Sequence, residues 1–434
     1  NGDWWDECKE NFKRVIIAHS CRLAHCKRQM LTDLESKLSE LMAFSQSDPG
    51  VYDEEVVNTK QEITGLLEEK IEGSKIRAKV QYTEMDEHPS HFFLQREKTR
   101  AAKSALNKLE VDGQTVTDPE IILNTCRNFY ETLYSKETVD HQAINFFTRG
   151  LPRLTAAQSQ ICDGPLTYEE CWAAIQAMKP NKTPGLDGLP KEFYKHFFPL
   201  FGHTFVSVMN EQVKQGLLTE SQRKGVIRLL CKNQEHPEYL SNWRPVSLLN
   251  VDYKIISKAL ANRLRQVVGH IVHPDQTCAV PGRSIHDNLH LLRNVCDYCE
   301  QQGILCAVIS YDQAKAFDRV SHEYLLNILR VFGFGDSFVN MISVLYTSVS
   351  SQVLVNGFLS GKIGIMRSVR QGCSLSMLLY ILCIEPFAHR IRMDPLVEGL
   401  RIPGSYEEAR ISLFADDTTT TVVSIRSIQQ ILFI

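Results

Sequence analysis

The chain lacks any apolar run long enough to cross a bilayer. Its best candidate, residues 378–384, falls far short of the roughly 20 residues a spanning helix needs. No internal repeat and no low-complexity tract occurs, which excludes solenoid and compositionally disordered classes. Cysteine is present thirteen times but without a framework: the number is odd, the positions are scattered, and the lone CxxC at Cys296 and Cys299 has no second pair at zinc spacing. Core thiols on a helix are expected there, and a reducing intracellular compartment follows from this usage. A strong charge imbalance is missing too. Formal net charge is −3, which excludes a uniformly basic nucleic-acid binder. The distribution is nevertheless uneven. Residues 223–293 hold eleven Lys/Arg against five Asp/Glu, the kind of basic surface a protein handling a polyanion needs beside an acidic site.

What remains is ordinary globular composition, 43% hydrophobic and 23% charged over 434 residues, with room for roughly two to three domains. Residue 1 is Asn, and the last residues, QQILFI, stop inside an apolar pattern, so the sequence reads as a piece of a longer protein. Leu31, Leu34, Leu38 and Leu41 step at helical spacing, the SQSDPG segment interrupts, and Ile63, Leu66, Leu67 and Ile71 resume the pattern. Two antiparallel helices over residues 1–80 are expected. Residues 85–109 interleave basic and aromatic side chains, a composition that can hold single strands by charge and stacking. A turn is expected at 115–118 and a helix at 119–133. From residue 166 onward, helices are expected at 169–178, 193–215, 254–268 and 323–331. Strands are expected at 226–231, 307–311 and 352–355, and a hairpin from 411–414 and 418–423. Elements in this mixed order predict an α+β fold, a sheet with helices behind it.

Asp312 follows an apolar strand, and Asp416 and Asp417 lie between the two strands of the hairpin. Carboxylates just past buried strands are rigidly held. Brought together they repel, unless hard divalent cations sit between them. Nothing in the spacing alone brings Asp312 to Asp416, 104 residues away.

Several segments together resemble the reverse transcriptases of LINE-type (non-LTR) retrotransposons. Residues 308–320 (VISYDQAKAFDRV) resemble their first palm motif, residues 370–379 (RQGCSLSMLL) the second and residues 414–417 (FADD) the third. Residues 242–264 are similar to their fingers motif, and residues 182–194 and 276–288 to further blocks. The resemblance spans about residues 166–425 and is nearest to vertebrate elements. It implies right-hand polymerase fingers and palm over 166–434, with an antiparallel palm sheet backed by helices and the thumb absent. A helical linker at 81–165 and a helical extension at 1–80 would precede them.

The resemblance also implies roles. Asp312, Asp416 and Asp417 would be catalytic and ligate two Mg²⁺ ions, with Mn²⁺ as a substitute. Phe317 would exclude a ribose 2′-hydroxyl. Gln371 and Gly372 would approach the incoming nucleotide, and Lys232 and Arg244 would hold its triphosphate. Arg283 would position template or structure. The implied partners are an RNA template, a DNA primer and deoxynucleoside triphosphates, with no membrane, and the implied work is nuclear. Oligomeric state is not legible. Ser374 and Met377 stand where the second motif usually carries proline, which predicts a looser loop and keeps a catalytically inactive RNA-binding remnant as the alternative. An RNA-templated RNA polymerase is opposed by Phe317, and a helical scaffold leaves the palm motifs unexplained.

Overall fold

In a computed structural model of the chain, the described residues are 2–47, 50–78, 105–111, 113–232, 235–401 and 408–434. They divide into two compact units, one formed by Glu7–Asn107 and the other by Asn1–Asp6 with Lys108–Ile434. The smaller unit holds most of a helix Gly2–Ser47 and a helix Asp53–Ala78. The expected break falls between them. The Ser45 hydroxyl donates to Asp53 at 3.1 Å, and Lys27 pairs with Glu69, so the two helices run antiparallel. The basic and aromatic segment lies outside the described residues up to 104.

The larger unit mixes helices and strands. Its helix starts follow from local chemistry. Asp118 accepts from the backbone N–H groups of Glu120 and Ile121 and opens Pro119–Leu133, with proline in the first turn, where no N–H is needed. Thr167 and Glu170 form a reciprocal cap that opens Tyr168–Gln176. The expected helices at 193–215, 254–268 and 323–331 are found at Lys191–Gln215, Val251–Val267 and His322–Val331.

Twelve short strands are described: β1 (Leu109–Val111), β2 (Gln114–Val116), β3 (Lys224–Cys231), β4 (Trp243–Leu249), β5 (Ala307–Tyr311), β6 (Ser350–Val355), β7 (Phe358–Leu359), β8 (Ile363–Gly364), β9 (Leu400–Arg401), β10 (Glu408–Ala409), β11 (Ile411–Phe414) and β12 (Asp417–Val422). The turn expected at 115–118 is instead centred on Gly113, because residues 114–116 pair back as β2. β4 carries Pro245, which hides it from propensity. It is tolerated because β4 is an edge strand, first in the order β4-β3-β6-β7, with β8 also on β6. In that sheet β3 and β6 are parallel and the other pairs antiparallel.

A second sheet, ordered β11-β12-β5, is antiparallel throughout. Its core contains Ala388 and Ile391 from helix Ser376–Met393, Ile411, Leu413 and Val422 from the strands, and Ile431 from helix Ile425–Phe433. Alternate residues of β5, Ala307, Ile309 and Tyr311, pack onto that core. Cys296 and Cys299 do sit on a helix, Ile285–Gln302, but they are not core thiols. Cys296 is exposed and Cys299 half-buried, because that helix turns only an edge toward the cluster of Val295, Leu400 and Ala409.

The residues near the amino terminus dock by Trp5, 1% exposed, whose indole N–H donates to Asp252 at 3.0 Å between Phe201 and Phe205. Arg263 is a second buried anchor. It grips Glu170 with two N–H groups at 2.5 and 2.7 Å and donates to the carbonyls of Cys162, Gly164 and Pro165 at 2.7–2.9 Å. Burial alone would raise the Glu170 carboxyl, yet the Arg263 guanidinium together with the Thr167 cap more than offsets this and holds it below its usual value. Arg263→Met should therefore cost about 3–5 kcal/mol in urea unfolding at neutral pH, by stranding Glu170 and the carbonyls, and pairing it with Glu170→Met should recover a good part. A loss below about 1 kcal/mol would contradict this role.

Candidate active site

The two acidic segments meet through strand pairing. β12 lies between β11 and β5, with Phe414 opposite Asp417 and Tyr311 opposite Thr418. Continuing the second ladder by one residue sets Asp312 across from Asp417, where opposed Cβ atoms stand ~5 Å apart. Asp416 occupies the two-residue turn between β11 and β12, after Ala415 at φ 58°.

The cations come from the other sheet. β3 and β4 pair with Leu230 opposite Arg244 and Cys231 opposite Trp243, and the Lys232 N–H donates to the Asn242 carbonyl at 2.7 Å. Both cationic side chains thus sit at one end of a hairpin, each exposed. The loop 370–376 docks on the same strand, since the Ser247 N–H donates to the Gln371 carbonyl at 2.8 Å. Gly372, at φ 105°, is required twice over: a Cβ there would meet the Ser247 carbonyl at 2.8 Å. The missing prolines do not leave this loop untied. The Ser376 hydroxyl and the Cys373 N–H both donate to the Arg370 carbonyl, at 2.8 and 3.2 Å.

One cavity of about 630 Å³ is lined by Asp312, Asp416, Asp417, Lys232, Arg244, Phe317, Gln371 and Gly372 together. The residues expected to be catalytic or to bind the nucleotide therefore all border the same space. Arg283 does not. Its guanidinium donates to the carbonyls of Val272, His273 and Gln276 and ties that segment together. A second cavity of about 640 Å³, with Gln313, Ala314 and Ala316 in common, is walled mostly by apolar side chains such as Ile144, Phe147 and Ile384.

Residues 231–433 match the family described as reverse transcriptase (RNA-dependent DNA polymerase). The chain is 34% identical over 419 residues to the transposon TX1 149 kDa protein of Xenopus laevis, covering 95% of this chain and 32% of that protein. It is 27% identical over 256 residues to the Pol polyprotein of the type-1 retrotransposable element R2 of Popillia japonica, covering 58% of this chain and 34% of that protein. It is 23% identical over 271 residues to the RNA-directed DNA polymerase of the mobile element jockey from Drosophila funebris, covering 61% and 28%. The chain carries a reverse transcriptase domain of the non-LTR retrotransposon type. It spans about a third of the length of these relatives.

The reverse transcriptase domain holds charged residues in its cavity that the motif reading passed over. Asp318, 2% exposed, accepts from the Tyr134 hydroxyl at 3.0 Å and from the Gln371 side-chain amide at 3.3 Å. Lys315, in the left-handed region at φ 56°, buries its ammonium without a hydrogen-bond partner among the described residues, 5.5 Å from the centre of the Phe129 ring. Burial lowers the Lys315 ammonium; Asp318 opposes this and Lys232 adds to it. Phe317 is half-buried, stacked on Tyr380 with ring centres 4.5 Å apart, and the Tyr380 hydroxyl donates to Gln313 at 2.7 Å. A charge within the first palm motif was the available signal for Lys315 and Asp318, but a surface position was equally compatible with it.

The three acids are hard oxygen donors, the set Mg²⁺ prefers. Among the described residues no three acidic, histidine or cysteine side chains stand close enough to hold an ion as they are turned here. The backbone nonetheless brings all three to the border of one cavity, and their donor chemistry is of the kind the ion takes. Among the described residues no helix is long and apolar enough to cross a membrane.

Burial pushes the Asp318 carboxyl up to about 6, against the Tyr134 hydroxyl and the Lys315 and Lys232 cations, which lower it. Both folded and unfolded chains hold this proton well below pH 4. As pH rises, the unfolded chain ionises first, and the folded one resists until its own value is passed. Asp318 therefore withdraws stability on the order of 2–3 kcal/mol between about pH 4 and 7. Asp318→Asn should gain that much relative to wild type across this window in urea unfolding, and a difference independent of pH would contradict the assignment.

Proposed function

We propose that the cavity bordered by Asp312, Asp416 and Asp417 binds a deoxynucleoside triphosphate, and that the domain extends a DNA primer on an RNA template by nucleotidyl transfer. The observation that carries this is the convergence on one space of eight residues drawn from positions 232 to 417. In this reading residues 166–434 are the fingers and palm, with β5, β11 and β12 forming the palm sheet. Residues 1–80 are a helical extension and 81–165 a linker.

The primer 3′-hydroxyl attacks the α-phosphorus of the nucleotide; the new P–O bond forms as the bond to pyrophosphate breaks, and the hydroxyl proton leaves with solvent. Asp312, Asp416 and Asp417 would hold two Mg²⁺ ions; bound there, such ions would supply activation of the hydroxyl and neutralisation of charge on the leaving group. Lys232 and Arg244 take the triphosphate, Arg by a two-pronged grip and Lys as a point charge. Lys315 can join them, since an incoming phosphate would give its buried ammonium the hydrogen-bond acceptor it lacks among the described residues. Gln371 is oriented by Asp318. Gly372 lets the backbone approach the nucleotide. Phe317, backed by Tyr380, meets the sugar where a 2′-hydroxyl would project, and that contact selects deoxynucleotides. Choice of base belongs to template pairing, so no base-reading side chain is required.

Primer extension with an RNA template and Mg²⁺ tests this. Asp416→Asn should lower incorporation by about 10³-fold. Equal non-zero rates in wild type and variant would remove Asp416 from the chemistry, and no Mg²⁺-dependent incorporation by either would replace the polymerase with the inactive RNA-binding remnant. Phe317→Ala should raise ribonucleotide use relative to deoxynucleotide use by at least about tenfold; an unchanged ratio would remove Phe317 from the sugar contact and leave the polymerase standing.

A further inference from the structure

The turn bearing Asp416 depends on a residue in an unfavourable conformation. Ala415 has φ 58°, a region that residues with a Cβ avoid. It is held there from outside the hairpin. Gln276, 0% exposed and 139 residues upstream, accepts from the Ala415 N–H at 3.0 Å and donates to the Ala415 carbonyl at 3.3 Å. Its carbonyl oxygen also accepts from the Cys278 N–H at 3.0 Å. One side-chain amide therefore satisfies both backbone groups of the strained residue.

The segment that carries Gln276 is itself fixed on both sides. The Leu413 N–H donates to the Asp275 carbonyl at 2.8 Å, and the Leu413 carbonyl accepts from the Thr277 N–H at 3.0 Å and the Asn288 side chain at 2.9 Å. Arg283 gathers the carbonyls of Val272 and Gln276 at 2.9 Å each. Segment 275–277 thus runs as an extra partner along β11, delivering Gln276 to the turn.

We infer that Gln276 is a positioning residue for the metal site: it holds the Ala415 peptide in the left-handed form so that the next side chain, Asp416, faces the cavity it shares with Asp312. This rests on the reading of Asp416 as a metal ligand. A clamp on a ligand's backbone is lost without touching nucleotide contacts, so its removal changes metal affinity and turnover and spares nucleotide affinity. A glutamine that serves only packing would do neither.

The test uses the 434-residue chain with Mn²⁺ as probe, its binding followed by electron paramagnetic resonance, beside primer-extension kinetics. Gln276→Met, equal in length but without donor or acceptor, should weaken Mn²⁺ binding and lower kcat by about tenfold or more each, with KM for the nucleotide within about twofold. Ala415→Gly in that background should restore at least about threefold of the Mn²⁺ affinity, because glycine takes positive φ without a clamp. Where Gln276→Met does not fold, Gln276→Asn, one methylene short, takes its place with the same expectation. Unchanged Mn²⁺ affinity in the glutamine variant, alongside a loss in Asp416→Asn, would overturn the inference alone. Unchanged affinity in Asp416→Asn would overturn the metal reading and the inference with it.

Discussion

The structure depends on one register. Tyr311 pairs with Thr418 across β5 and β12, and because side chains alternate along a strand, a slip of one residue would turn every side chain on β12 to the opposite face. The apolar partners of this sheet make such a slip costly. Leu413 on β11 and Val422 on β12 share one apolar cluster with Ile391 and Ile431, and Ile309 and Tyr311 on β5 pack against it. Hydrophobic burial, which is not directional, thereby fixes a directional result: an aspartate at the end of β5 faces another at the start of β12.

That result sets two opposing electrostatic demands in one cavity. Asp312, Asp416 and Asp417 bring like charges together, while Lys232, Arg244 and Lys315 border the same space. The cations cannot neutralise the acids by direct pairing without closing the cavity, and no ion pair between the two groups is found among the described residues. A nucleotide carrying a polyphosphate with divalent ions answers both demands at once: phosphate oxygens face the cations and metal ions face the carboxylates. Asp318 and Gln371 belong to neither group. Their hydrogen bond, with Tyr134 on the other carboxylate oxygen, links the wall of the cavity to helix Pro119–Leu133 and the residue that follows it.

How much of this could be read in the residues alone differs by element. β5 was legible to its ends because Val308, Ile309 and Tyr311 make a β-rich run just before an aspartate, and the hairpin at 411–422 was legible because two such runs flank a two-residue turn. β4 was not, since Pro245 speaks against a strand unless its edge position is known. Helix Ser376–Met393 was passed over for the same reason: Pro386 interrupts its interior. The meeting of Asp312 with Asp416 was beyond local reading altogether, because a contact across 104 residues leaves no periodic trace; only the joint occurrence of the motifs pointed to it. Lys315, Asp318 and Gln276 were missed or left without a role because their meaning lies in burial and in hydrogen bonds to distant backbone, neither of which residue type reveals. The loop around Ser374 and Met377 was expected to be loose. Its hydrogen bonds to the Arg370 carbonyl show that a serine hydroxyl can tie such a turn without proline.

The central claim is that strand pairing makes the acids of β5 and of the β11–β12 turn a single metal site. Local hydroxyl-radical cleavage tests this most directly. With Fe²⁺ substituted for Mg²⁺ in the presence of ascorbate and peroxide, the chain should be cut near residue 312 and near residue 416 together, and excess Mg²⁺ should suppress both cuts in parallel. Cleavage at only one of the two segments, or at neither, would mean that the acids do not share an ion.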